Sequence, residues 1–279
     1  MSSPALSTIL VHVDNTPGAA RRIAVAGALA DAFGARLTGC AAGQFVVPVY
    51  APFGEGFVAL QPEILEAAHT QIKAQITAAE AAFRAAAGLR PDLAWHGSDV
   101  TEPVAFLVRH ARSADLVVIG RNAKDEPEDT ALGVPASDVA MTAGRPVLVV
   151  PPGVTHLSAK RIVVAWKDTR ESRLVAIAAL PLIKQAEEVF VTGAGEDIAL
   201  ADVQEVASWL ARYGVVAKPI IEEVTDGRPA TSLLRVAQRV HADLVVAGAF
   251  GHSRMREWVF GGVTRDLMDH ATVPVLFAH

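Results

Sequence analysis

SADLVVIG, residues 113–120, and HADLVVAG, residues 241–248, are near-copies of one another set 128 residues apart. Each is a short apolar run ending in glycine, as a strand buried on both faces reads. The repetition extends outward in both directions. RPVLVV from Arg145 and VPVLFA from Val273 keep the same offset of 128, and ILVHVDN from Ile9 resembles IVVAWKD from Ile162 at an offset of 153. The first copy therefore carries about 25 extra residues between its first and fourth strands, and the second is complete in about 120. PPGVTHLSAK, residues 151–160, reads as the linker. The expected organisation is two tandem units, 1–152 and 158–279.

Strand and helix patterns alternate within each copy. In the second, RIVVAW, EEVFVTG, VVAKPIIEEV, ADLVVAG and VPVLFA are strands, and Pro219 places the third at an edge. Asp168 or Thr169 caps a helix with Leu174, Ile177 and Leu180 at helical spacing. Val203, Val206, Leu210 and Tyr213 mark another helix, stopped by Gly214; a third starts at Pro229 and a last one runs from about Gly262 to His270. In the first copy, Thr16 caps a helix that Gly34 ends, with Ile23, Ala26, Ala30 and Phe33 facing the core. A long helix there shows Leu65, Ala68, Ile72, Ile76, Ala79 and Phe83 at spacings of three and four. It follows an apolar, glycine- and proline-rich insertion near 45–61, a candidate lid or partner surface. Alternating strands and helices imply parallel βαβ units with right-handed crossovers. The expected fold class is α/β, two tandem doubly wound five-stranded parallel sheets with helices on both faces.

Composition narrows the function. The net charge of −5, with no basic block, argues against nucleic acid or a membrane surface as partner. No apolar run reaches the roughly 18–20 residues that span a bilayer, and no signal-peptide pattern precedes the first strand. The lone Cys40 excludes an intrachain disulfide. A cytoplasmic globular protein is the expectation.

GAFGHSRMREWVFGGVT, residues 248–264, follows the fourth strand of the second copy with the spacing G-x2-G-x9-G-G-x-T. Ligands of open parallel sheets sit beyond the carboxyl ends of the strands. Gly248 and Gly251 would turn the chain at positive φ and expose backbone N–H groups. Gly261, Gly262, Val263 and Thr264 open a helix whose free N–H groups favour an anion, with the Thr264 hydroxyl as a further donor. Arg254 and Arg256 would neutralise phosphate charge, and His252 could donate to it. The pattern is neither the dinucleotide fingerprint nor a Walker A loop.

VVAGAFGHSRMREWVFGGVTRDLMDHATVPVLFA resembles the C-terminal signature of the universal stress protein family. ATP-binding members carry G-x2-G-x9-G-[S/T]; Gly248, Gly251 and Gly261 match, whereas Gly262 replaces the hydroxyl residue. The resemblance implies the strand order 3-2-1-4-5 and a nucleoside contact from an Asp at the end of strand one. That residue is Asp14 in the first copy. In the second it is Lys167, with Asp168 adjacent. The first copy's loop keeps Gly120 and Gly133 but has Ala123 for the second glycine. It also carries Asp125, Glu126, Glu128 and Asp129, which would repel a triphosphate. The resemblance also implies pairing through the fifth strands, here within one chain, and leaves room for a further homodimer. ATP or a related adenine nucleotide is the candidate cofactor, with magnesium as its candidate companion.

No metal-ligand spacing, catalytic triad or nucleophile elbow is present, so no catalytic residue is assigned and hydrolysis would at most be slow. The first functional expectation is a stress-response module binding a nucleotide or other phosphate ligand mainly in the second copy. The alternative is a scaffold for an unknown protein partner, or a binder of a small lipid-like molecule. An ATP pyrophosphatase of related fold is a minor third reading.

Overall fold

The computed structural model describes residues 6–45, 62–121, 128–195, 198–224, 227–250 and 262–279. The first copy contributes β1 (Thr8–His12), α1 (Gly18–Phe33), β2 (Arg36–Ala42), α2 (Pro62–Ala87), β3 (Leu93–Ser98), α3 (Pro103–Ala111), β4 (Leu116–Gly120), α4 (Ala136–Thr142) and β5 (Val147–Val150). The second contributes β6 (Arg161–Ala165), α5 (Arg170–Ala178), α6 (Leu180–Ile183), β7 (Glu188–Ala194), α7 (Leu200–Ala211), β8 (Ala217–Glu222), α8 (Pro229–Arg239), β9 (Leu244–Gly248), α9 (Gly262–His270) and β10 (Val275–Ala278).

The ten strands among the described residues form one sheet, ordered β3-β2-β1-β4-β5-β10-β9-β6-β7-β8. Each half follows 3-2-1-4-5. Every neighbouring pair is parallel except β5 and β10, which run antiparallel with Val147 opposite Phe277, Leu148 opposite Leu276 and Val149 opposite Val275. The two apolar outer strands thus cover each other, which removes the open edge either would expose alone. The two five-stranded sheets expected from the sequence join into one through this pair, the pairing that the resemblance implied. The remaining edges are β3 and β8, and Pro219 lies on β8 as its missing N–H predicts.

Alternate strand residues feed two cores. Ile9, Val11, Ile162 and Val164 pack with α1, α2, α5, α6 and α7; Leu10 and Val163 pack with α3, α4, α8 and α9. The residues between the copies are not simply a solvated linker, because Leu157 and Ala159 are buried in the first of these cores. One acid is used alike in both halves. Asp115, just before β4, accepts the backbone N–H groups of Ser7 and Thr8, and Asp243, just before β9, accepts those of Lys160 and Arg161. Each carboxylate ties the start of strand one to the start of strand four.

Some local expectations change. Leu174 and Ile177 are exposed; α5 buries Ser172, Val175 and Ala176 instead, so its core face is rotated toward smaller residues. Tyr213 is exposed beyond the end of α7, and α2 enters the core only from Ile72 onward, leaving Leu65 outside. Thr16 does not cap α1, since its hydroxyl donates to Asp14. Gly34 ends that helix in the left-handed region, φ 63°, as expected. Thr169 does cap α5, accepting the Ser172 N–H. The insertion at 46–61 lies outside the described residues.

Candidate functional site

The fold provides two equivalent places for a ligand, beyond the carboxyl ends of β1 and β4 and of β6 and β9, where strand order reverses. The chain treats them differently.

In the first copy the place is filled from within. Asp14 follows β1 and is buried, with Arg22 Nη2 of α1 at 2.6 Å from its Oδ1. The carboxylate also accepts the Thr16 N–H at 3.0 Å and hydroxyl at 2.6 Å. Arg22 Nε donates to the His12 carbonyl at 2.7 Å. Burial alone would raise the Asp14 pKa. Arg22, followed by His12 and the Thr16 hydroxyl, outweighs it and holds the carboxyl below its ordinary value. His12 is pushed down to about 4, by burial first and Arg22 second, so its ring is neutral and donates from Nε2 to the Leu132 carbonyl at 2.8 Å. Leu132, fully buried, comes from the loop after β4. Asp129 holds that loop down: one oxygen accepts the Ala131 and Leu132 N–H groups, and the other accepts the Asn15 N–H.

This arrangement changes two readings. Asp14 is not an open contact for a nucleoside but half of an internal ion pair. Asp129 is a latch for its own loop rather than only a charge that repels phosphate. Gly120 is also explained: a Cβ there would stand 2.6 Å from Arg22 Nη1. Its bareness serves an arginine.

The second copy lacks the charged part of this plug, and the counterparts of Asp129 and Leu132 at the offset of 128, Glu257 and Phe260, lie outside the described residues. At the repeat offset of 153, Ala165 replaces His12, Lys167 replaces Asp14 and Val175 replaces Arg22. A cavity of about 240 Å³ lies there. Ala165, Ala247, Ala194, Ile198, Leu233 and Val263 give it apolar walls, Thr169, Ser172 and Thr264 give it hydroxyls, and Lys167 is the charged residue among its described lining residues. Gly262 and Val263, at the start of α9, also border it, with helix N–H groups that have no intrahelical acceptor.

The sequence-assigned residues divide accordingly. Gly248, Gly262, Val263 and Thr264 meet at the cavity. Asp168 is not among its lining residues; it is exposed and paired with Arg173. Gly251, His252, Arg254, Arg256 and Gly261 lie outside the described residues. Gly248 does not make the turn at positive φ. It ends β9, and the left-handed residue is Phe250, φ 55°. Thr264 is buried, and its oxygen accepts the Phe250 N–H at 3.0 Å, so it anchors the start of the loop. Gly248 is required for another reason: an added Cβ would lie 2.8 Å from the Ser172 nitrogen and 2.9 Å from the Glu171 carbonyl carbon. Gly248→Val should therefore push α5 off β9. A loss of about 1–3 kcal/mol in urea unfolding is expected for such overpacking; an unchanged midpoint would contradict the close approach.

Arg22 and His12 had no sequence signal as a plug, although the comparison of the two copies at an offset of 153 marks them as the positions that differ. Elsewhere, His96 and His110 stack with ring centroids 4.0 Å apart, and burial with the neighbouring His96 holds His110 down to about 4. Cys40 is buried, and its thiol is pushed up out of the reactive range. Among the described residues no cluster of three His, Cys, Asp or Glu side chains could hold a metal, and no helix is long and apolar enough to cross a membrane.

Comparison with known proteins agrees with this architecture. The profile of the Universal stress protein family matches residues 6–151 and 193–279. A universal stress protein of Mycobacterium bovis is 27% identical over 198 residues, covering 63% of this chain and 65% of the relative. The chain thus matches slightly less than two thirds of that relative's length. Among solved structures, a universal stress protein from Archaeoglobus fulgidus has a TM-score of 0.65 at 15% identity, covering 97% of both chains. A functionally unknown protein from Pseudomonas aeruginosa has a TM-score of 0.58 at 16% identity, covering 98% of this chain and 92% of its own. At these identities the structural likeness speaks for the fold. With the family profile matched in both halves, the chain belongs to the universal stress protein family.

Proposed function

We propose that the chain is a tandem stress-response module whose second copy binds a phosphate-bearing ligand, with an adenine nucleotide as first candidate, while the first copy is a ligand-free structural partner. The observation that supports this is the contrast between equivalent places. Asp14, Arg22, His12 and Leu132 occupy one, and a cavity of about 240 Å³ occupies the other. The N–H groups of Gly262 and Val263 and the Lys167 ammonium all favour negative charge. The described lining residues include no carboxylate to oppose it and no imidazole or carboxylate to act as a general base. The reading is therefore binding rather than turnover. Any magnesium would arrive with the ligand's phosphates, since none of the described lining residues is an acid that could hold it.

The apolar walls from Ala165, Ala194, Ile198, Leu233 and Ala247 favour a second reading, a small lipid-like ligand. Titration calorimetry separates the two. With ATP and magnesium, and with pyrophosphate, the first reading expects one site per chain. Lys167→Asp should weaken it roughly ten-fold or more, because a like charge would face the phosphates. No heat from either anion, with a greasy mass retained in native mass spectrometry, would favour the second reading.

A further inference from the structure

The first residue after β4 reaches across to the other copy. Arg121 hydrogen-bonds with its own backbone N–H to the Val150 carbonyl, but its guanidinium leaves the first copy altogether. Nη1 donates to the carbonyl of Asp269, and Nη2 donates to the carbonyl of Ala271 at 2.8 Å. Both acceptors belong to the C-terminal end of α9, where the last carbonyls of a helix lack intrahelical donors. A planar guanidinium can meet two such carbonyls at once, and its positive charge suits that end of the helix. The contact is one-sided. The corresponding residue of the second copy, 128 positions on, is Ala249, which has no side-chain donor to return it.

The helix so held is the one that borders the cavity. Gly262, Val263 and Thr264 are its first turn, and Thr264 in turn holds Phe250 at the start of the glycine loop. At nine residues α9 is too short to be stable alone, so its place is set by tertiary contacts. Leu267 and Met268 bury its middle, and Arg121 fixes its far end.

We infer that Arg121 is a positioning residue for the ligand site of the second copy: the first copy clamps α9 by its C-terminal carbonyls and thereby sets where the N–H groups of its first turn point. This rests on the binding reading above and adds a role for the first copy. It makes the tandem chain asymmetric, with one half supporting and the other receiving the ligand.

The test uses the full chain with Arg121→Met and Arg121→Lys. Hydrogen exchange followed by mass spectrometry reads the clamp, and calorimetry with pyrophosphate reads the site. In Arg121→Met, exchange across α9 should rise about ten-fold while β1 and β6 keep wild-type protection, as loss of a local tether predicts. Pyrophosphate affinity should fall by about five-fold or more, without a change in stoichiometry. Arg121→Lys should recover part of both, since one ammonium can serve one carbonyl well but not the pair. Wild-type exchange across α9 in Arg121→Met would overturn the clamp. Faster exchange with unaltered affinity would overturn its positioning role. If the wild-type chain binds no pyrophosphate, the binding reading falls and the positioning role with it, while the exchange measurement still decides whether Arg121 holds the helix.

Discussion

Arg22→Met is expected to destabilise the chain by about 3–5 kcal/mol, because it strands a buried carboxylate without its cation. Asp14 and Arg22 side chains are 6% and 2% exposed, so water cannot take over the lost partner. The pH dependence distinguishes this from lost packing. In the wild type the Asp14 pKa is depressed, so the pair's contribution is present above the unfolded value near 3.8 and is lost as pH falls through the lower folded value. In Arg22→Met burial loses its largest opponent, leaving His12 and the Thr16 hydroxyl, and the Asp14 pKa rises. The folded variant then takes up a proton more readily than the unfolded chain, and its deficit should shrink as pH falls from 7 toward 4. Removing the charge as well, in Asp14→Asn with Arg22→Met, should recover much of the loss. Urea titrations at several pH values provide the check. A pH-independent deficit, or no recovery in the double variant, would argue against a stranded charge.

Leu132→Ala should cost about 2–5 kcal/mol, the range for emptying a fully buried leucine site. Leu132 is 0% exposed, and its loop is pinned by the three N–H groups that Asp129 accepts. The loop therefore has little freedom to collapse into the space, which places the expectation toward the upper part of that range. A Cβ on Gly43 would stand 3.0 Å from a Leu132 methyl, so the leucine fills its place closely. The same substitution should leave ligand binding in the second copy intact. A cost below about 1 kcal/mol would mean that Leu132 is not the plug.

The architecture was legible because it was stated twice. Four apolar residues ending at Gly120 and again at Gly248 gave the fourth strands, and the offset between the openings gave the inserted segment. The pairing of the outer strands was what the family resemblance implied, and two apolar edges in one chain are its physical reason. The rotated face of α5 was not legible. Leu174 and Ile177 are the larger apolar residues, but the sheet approaches the side bearing Ser172, Val175 and Ala176, where Gly248 lets the backbones come close. Only the strand–helix distance settles that choice.

The candidate site was legible in part for a similar reason. The glycines and Thr264 located the carboxyl end of β9, but the motif did not say that the Thr264 oxygen is engaged by Phe250. Arg22 sits in a helix of mixed composition, where an arginine ordinarily reads as solvated. Its burial depends on Asp14, on the His12 carbonyl and on the bare Gly120, which come together only in the fold. Arg121 was hidden more completely, since its acceptors lie 148 and 150 residues away and are backbone carbonyls, which carry no sequence signature.

The most direct measurement is a crystal structure of the full chain soaked with ADP. The account predicts one nucleotide per chain, with phosphates against the first turn of α9 and near Lys167, and the Asp14–Arg22 pair intact and unliganded. Nucleotide bound at Asp14 with Arg22 displaced, or a second-copy cavity that stays empty at saturating ADP, would contradict it.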